Sequence, residues 1–409
     1  FYSIFRIFSI KSLNKYKSII LVSSIYILSL SLSAIQLLPS IEAFDQSPRS
    51  IASAWYLFEL YLLPVTHIFN VIVPDIFGNP AVYNFFGRGF YRETISYIGV
   101  IPLIFAIYAI FKIQKNSISR FFTISALITF FLTLNSPFTR WFFSLPLPLL
   151  PTFLPSRIFI LTSFSLTVLS AFGLSRWLQT KSKIDIRFLY ALLTILLLLI
   201  LISTYAFISI FNFDHFDGKN LLNQFNFQHL NNYMIRQGSN PTRVEITVTL
   251  RNLFLPFCMI FSLGILTIFK KRNIFIFSVV ILTLLGQFYF LNKYSVVGDP
   301  QFLYPKHPIL SFMQSRNSLD RFLSFGQPIH ENTSIMARTY SVEGVNPIFP
   351  SRYGQLLFAI KNNGKVTNNI PRVEARLSEL GDKENPFEDN RRMRLLSLLG
   401  VKYVLYFDD

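Results

Sequence analysis

Gln36-Leu-Leu-Pro-Ser-Ile-Glu-Ala-Phe-Asp-Gln-Ser-Pro-Arg49 opens the stretch around which the chain is organised. It continues through a middle rich in Trp, Tyr and Leu to Val73-Pro-Asp-Ile-Phe-Gly78, and closes on Phe90-Tyr-Arg-Glu-Thr-Ile-Ser-Tyr-Ile-Gly99. On either side stands a run of about twenty apolar residues, the length a helix needs to cross the hydrocarbon core of a bilayer. The stretch therefore reads as a long loop tied down at both ends by membrane helices. Five of the nine acidic residues before residue 299 lie in it: Glu42, Asp45, Glu59, Asp75 and Glu93. Chemistry is expected there.

The composition agrees. With 52% hydrophobic and 14% charged residues, the chain departs from soluble proteins, in which about a quarter of residues are charged. Its net charge of +17 is unevenly spread. One set of short loops carries Arg6, Lys11, Lys15, Lys17, Lys112, Lys115, Arg120, Arg176, Lys181, Lys183, Arg187, Lys270, Lys271 and Arg272 against the single acid Asp185, a net of +13. The opposite loops and the segment from Asp299 onward each carry +2. That asymmetry is the positive-inside pattern and puts the basic turns in the cytoplasm. No basic patch with interleaved aromatics stands elsewhere, which excludes nucleic acid as a partner. Cys258 is the only cysteine and lies in an apolar run, so no disulfide framework exists.

Taken in order, residues 1–17 read as a cytoplasmic interfacial segment, or as the tail of a further span. The chain opens Phe-Tyr-Ser-Ile-Phe, without Met or a small-residue cleavage site, which reads as a fragment rather than a signal peptide. Seven spans are expected, at Ser18–Ile41, Thr94–Phe111, Phe121–Phe138, Ile158–Ser175, Phe188–Phe211, Asn252–Phe269 and Asn273–Leu291. They make residues 18–298 a transmembrane domain with extracytoplasmic loops at 39–95, 136–157 and 212–251. Residues 299–409 are richer in charge and mix helical with strand periodicity, helical at 308–316, 351–362 and 391–399 and extended at 321–325, 338–342 and 401–407. The fold class expected is thus a polytopic α-helical membrane protein of about seven spans with a small α/β extracytoplasmic C-terminal domain. It would sit in the plasma membrane with its N-terminus in the cytoplasm and the lipid bilayer as its first partner.

The expected spans hold no Asp, Glu, Lys, Arg or His. Ion-coupled transport places ionisable groups at membrane depth, so this pattern favours chemistry at the outer surface. Glu42 and Asp45, three apart, would share a face if the helix continued, with Arg49 one turn on. They read either as a general base beside a phosphate-binding cation or as a hydrated helix end with an exposed ion pair. Arg88, Arg92 and Glu93 lead into the second span and Arg157 into the fourth. These cations would converge on an outer vestibule if the helices bundle, or simply snorkel at the interface. Asp214-His215-Phe216-Asp217 has metal-capable side chains but no second ligand at a suitable spacing, and no metal site is assigned. His67, His307 and His330 are isolated and read as structural.

Read together, several stretches resemble the bacterial YfhO-like family of polytopic membrane proteins, which belongs with the C-type glycosyltransferases. The matching pieces are Gln36 to Glu42 with Ser47-Pro-Arg49, Pro74 to Gly78, Tyr91 to Leu103, Phe153 to Arg157 and Ala171 to Leu174. In the C-terminal domain they are Tyr340 to Pro347 with Arg352-Tyr353, and Leu399 to Leu405. The resemblance implies transfer of a sugar from a polyprenyl-phosphate donor to an envelope polymer or glycolipid acceptor on the extracytoplasmic face. It implies no firm cofactor and leaves a divalent metal open. It also implies further spans upstream, with an acidic base in the first outer loop, so the base could lie outside this chain. From the residues themselves the catalytic candidates are Glu42, Asp45 and Glu93, and the substrate-binding candidates Arg49, Arg88, Arg92 and Arg157. A non-catalytic membrane scaffold that binds envelope partners is the alternative.

Overall fold

The computed structural model describes residues 2–10, 14–51, 61–82, 84–87, 89–145, 154–179, 183–211, 243–268, 272–295, 298–302, 307–316, 319–325, 329, 332–346, 348–362, 364–368, 370, 374–375, 377 and 389–406. Two compact units are present: residues 1–18 with 55–296, and residues 19–54 with 297–409.

In the first unit, α1 (Tyr2–Ser9) is a short helix whose Ile7 is buried while Ile4 and Phe8 stay exposed. Its Tyr2 and Phe5 rings lie 5.2 and 4.9 Å from Phe121. The bundle proper is α3 (Val100–Lys112), α4 (Ser117–Thr133), α5 (Pro137–Phe143), α6 (Phe159–Gln179), α7 (Lys183–Phe211), α8 (Arg243–Leu266) and α9 (Arg272–Tyr294). Outward-facing Leu201, Ile202, Phe277 and Phe288 are more than half exposed, which gives the bundle an apolar outer surface. The inner faces form a core in which Val100, Ile104, Ile260 and Leu263 are fully buried. Gly173 lets α6 approach α3 so closely that a Cβ there would stand 2.0 Å from the Phe105 carbonyl oxygen, the small-residue contact that membrane helices use in place of a hydrophobic drive.

Of the roughly seven spans expected, the described residues carry five candidates, or six if one bent helix pair is counted as a span. Among the described residues five helical segments are long and apolar enough to cross a membrane: Lys15–Asp45, Pro155–Gln179, Lys183–Tyr205, Val248–Leu266 and Arg272–Tyr294. The second and third expected spans become α3 and α4, a pair bent by 116°. At 1.5 Å per residue they reach only about 20 and 26 Å, each short of the hydrocarbon thickness. The reason lies at their ends. Residues 95–99 are not helical, and Gly99 at φ +97° marks the point where the helix begins, at Val100. Pro102 consequently sits in the first turn, where its missing N–H has no partner to lose. At the other end, Leu63 donates to the Thr133 carbonyl at 2.8 Å and its own carbonyl accepts from Asn135 at 2.9 Å, which ends α4 against the loop. Asn116 caps the start of α4 through the Ile118 and Ser119 amides, and Ser136 with Pro137 restarts the chain as α5.

In the second unit, α2 (Lys15–Asp45) runs on through Pro39 and ends four residues after the expected limit of the first span, with no buried residue along it. Beyond it lies the small sheet expected near the C-terminus. β1 (Arg321–Ser324) is flanked by β2 (Tyr340–Ser341) and β5 (Val401–Leu405), both parallel to it. β3 (Gly344–Val345) and β4 (Glu374–Ala375) form an antiparallel pair. The helices α10 (Pro308–Ser315), α11 (Ser351–Lys361) and α12 (Asn390–Leu398) fall where periodicity places them. Leu323, Val342, Leu357, Ile360 and Leu396 make their shared core.

Candidate functional site

The loop that follows Leu63 folds onto the bundle by burying polar groups that satisfy one another. Val65–Val71 is a 3₁₀ helix whose His67 is buried and stacks on Phe77 at 4.4 Å. Gly78 then turns the chain at φ +78°, where a Cβ would lie 2.0 Å from the Asn84 carbonyl oxygen. This turn presents Asp75 to the N-terminal half of α8 and the C-terminal end of α9.

Asp75 is 4% exposed. Its Oδ1 accepts from the Tyr91 hydroxyl, in a very short bond, and from Asn79 Nδ2 at 3.2 Å. Its Oδ2 meets Lys293 Nζ at 3.2 Å. Asn252 braces both partners: its Nδ2 donates to the Asp75 carbonyl at 2.7 Å and its Oδ1 accepts from Lys293 at 3.1 Å. Thr249, one turn earlier on α8, donates to the Ile76 carbonyl at 2.7 Å. The Lys293 ammonium also lies 4.3 Å from the centre of the Tyr289 ring, where the ring's negative face favours it. Beside the pair is a recess of about 20 Å³ lined by Asp75, Tyr97, Asn252, Pro256, Gly286 and Lys293, room for about one water. Pro256 has no N–H to return to the Asn252 carbonyl four residues back, so that oxygen too is left for another donor. Burial, and then the neighbouring Asp75 carboxylate, push the Tyr91 phenol well above its ordinary range, which keeps it a proton donor to Asp75.

A second constellation lies in the same unit. Glu93 accepts from Ser156 Oγ at 2.8 Å on one oxygen and from Arg157 Nη2 at 3.3 Å on the other. The Glu93 side chain is 12% exposed and that of Arg157 68%, so the guanidinium faces outward from a sheltered carboxylate.

Of the residues singled out in the sequence, Glu93 and Arg157 are thus brought together, and Arg92 is exposed on the short Tyr91–Thr94 helix beside them. Glu42 and Asp45 are exposed on the last turns of α2, inside the helix rather than past its end, and belong to the second unit. Arg49 follows on the short Pro48–Ile51 helix of that unit. Arg88, Glu59, His330 and the stretch Asp214 to Asp217 lie outside the described residues. His307 caps α10 by accepting from the Ile309 amide. Among the described residues no three His, Cys, Asp or Glu side chains gather.

Asp75 had been visible only as one acid among five. Lys293, Asn252, Asn79 and Tyr91 were missed, since nothing local marks them: Asp75 and Lys293 are 218 positions apart. One signal existed. Pro74 to Gly78 and the segment starting at Tyr91 are both among the stretches that carry the family resemblance, and the fold joins them through Asp75. Compared with protein-family models, with curated proteins and with solved structures, the chain matches none.

Proposed function

We propose that this chain is a membrane glycosyltransferase-like protein that transfers a sugar from a polyprenyl-phosphate donor to a cell-envelope polymer or lipid on the extracytoplasmic face. The observation that carries the reading is the Asp75–Lys293 pair, a loop carboxylate and an ammonium at the end of an apolar helix, 3.2 Å apart. In the reaction the acceptor oxygen bonds to the anomeric carbon as the bond from that carbon to the phosphate oxygen breaks. The acceptor's proton passes to a carboxylate, and the departing phosphate takes up a cation. Asp75 and Lys293 supply one of each. For Asp75 to accept the proton, Lys293 turns from Oδ2 to the phosphate, while Tyr91 and Asn79 hold Oδ1 in place. The recess takes only one water, so the donor phosphate meets Lys293 at the rim, with Arg92 and Arg157 as further exposed cations of the same unit.

A second reading is a scaffold, favoured by the completeness of the network: both Asp75 oxygens are already occupied, and together they clamp the loop to α8 and α9. The two readings part on Asp75→Asn, which keeps the shape and leaves Lys293 its bond to Asn252. Purified protein in lipid nanodiscs, given a labelled polyprenyl-phosphate glucose and cell-envelope acceptor, should lose transfer by about a hundredfold or more in this variant with its unfolding transition retained. Undiminished transfer would remove Asp75 from the chemistry. Wild-type protein without transfer, together with an unfolded variant, would favour the clamp.

A further inference from the structure

The second unit holds a recess that the transferase reading does not use. It measures about 170 Å³ and is bounded by Arg316, Asp320, Arg338, Thr339, Tyr340 and Tyr403, against room for one water at Asp75. It forms where the chain enters two of the parallel strands: Asp320 precedes β1, Arg338 and Thr339 lead into β2, and Tyr403 comes from β5.

Three features describe what would fit. The recess is positive in its lining, because Asp320, the one acid among its described lining residues, is held by Lys402 at 2.8 Å, and the other charged lining residues are Arg316 and Arg338. Arg316 is steadied by lying 4.8 Å over the Phe312 ring, which stacks the guanidinium face and leaves its edge donors to point elsewhere. Phe312 is itself set edge-on against Tyr403 at 5.8 Å. Tyr340 is 51% exposed, so an aromatic face with a polar tip borders the same space.

The third feature is backbone conformation. Arg338 takes φ +52°, the one positive φ on a non-glycine residue among those described. An L residue with a Cβ adopts that region at a cost, and Gly or Asn would adopt it more easily. A long cationic side chain held there is the kind of outlier that points to a role beyond folding. Two guanidinium groups suit a carboxylate or a phosphate. A bare inorganic anion would leave most of the recess and the tyrosine faces without a contact, whereas a hydroxylated ring carrying one negative charge would use all of them. The geometry points to a binding site for an anionic sugar, either a uronic acid or a phosphosugar, in the C-terminal unit. This stands apart from the transferase reading, since it concerns recognition by a unit with no part in the Asp75 network.

The test is direct binding to the full chain in detergent micelles, by ligand-observed NMR and calorimetry, with no donor lipid present. Four probes are compared: glucuronate, glucose 1-phosphate, glucose and inorganic phosphate. One or both charged sugars should bind about tenfold or more tightly than glucose and than phosphate, the scale of one charge-assisted hydrogen bond. Preference for glucuronate identifies a uronic acid and preference for glucose 1-phosphate a phosphosugar. Arg338→Gly relaxes the backbone, so it should weaken binding about tenfold while the unfolding temperature holds or rises. Arg316→Gln should weaken it similarly without touching the backbone. The proposal is overturned if no probe binds, if glucose or phosphate binds as well as the charged sugars, or if Arg316→Gln binds as wild type does.

Discussion

Replacing Lys293 by methionine would leave the Asp75 carboxylate buried, with the Tyr91 hydroxyl and the Asn79 amide as its remaining donors. Breaking a buried ion pair from one side costs about 3–5 kcal/mol, because the surviving charge stays desolvated. Here the surviving side chain is 5% exposed and the lost one 17%, and two donors remain on Oδ1. The low end of that range, about 3 kcal/mol, is therefore expected. Asp75→Asn should cost less, about 1 kcal/mol, since Lys293 keeps Asn252 and its ring contact and can lean toward solvent. In the double variant neither charge is left without its partner. The two losses should then fall short of adding by about 1–2 kcal/mol, a coupling of the size seen between residues of one network. The measurement is equilibrium unfolding of the detergent-solubilised protein, followed by helix content, for wild type, both single variants and the double variant. Losses that add to within about 0.5 kcal/mol would show that the two groups do not interact, and the site built around them would fall.

Tyr91→Phe keeps the ring stacked on Tyr294 at 5.9 Å but removes a donor from a buried carboxylate, and should cost about 1–3 kcal/mol in the same assay. Gly173→Ala drives a Cβ into the Phe105 backbone and should cost about 1–3 kcal/mol, whereas Gly264→Ala, whose Cβ would meet only Leu193 at 3.8 Å, should be nearly neutral. Equal effects of the two substitutions would refute the close contact of α3 with α6. Orientation is read with single cysteines in a Cys258→Ser background: Gln179→Cys, at the end of α6, and Asn273→Cys, at the start of α9, should resist an impermeant thiol reagent in intact cells, while Leu319→Cys, 82% exposed, should react. The reverse pattern would place the Asp75 loop in the cytoplasm and remove the case for an outward-facing lipid-phosphate site.

Much of this molecule is written locally in its sequence. The run of Leu and Ile from Leu192 to Ile202, interrupted only by Thr194, can only be a buried or lipid-facing helix, and the alternation in Val401 to Leu405 with the helical spacing before it gives the final helix and strand of the α/β unit. Period and apolarity are properties of neighbours along the chain, so they are legible without the fold. The limits of the helices were less so. Gly99 at positive φ and the bridge of Leu63 to Thr133 and Asn135 shortened two expected spans into one bent pair, and the second of these depends on a contact 70 positions long in its effect on α4. The site was the least legible, because its members are ordinary residues in sequence. Asp75 is one loop acid among several, Asn252 a helix residue, Lys293 a cation at a helix end, and only their burial together gives them charge and proton chemistry. Burial and pairing belong to the three-dimensional neighbourhood of an atom, which residue spacing along a chain does not specify.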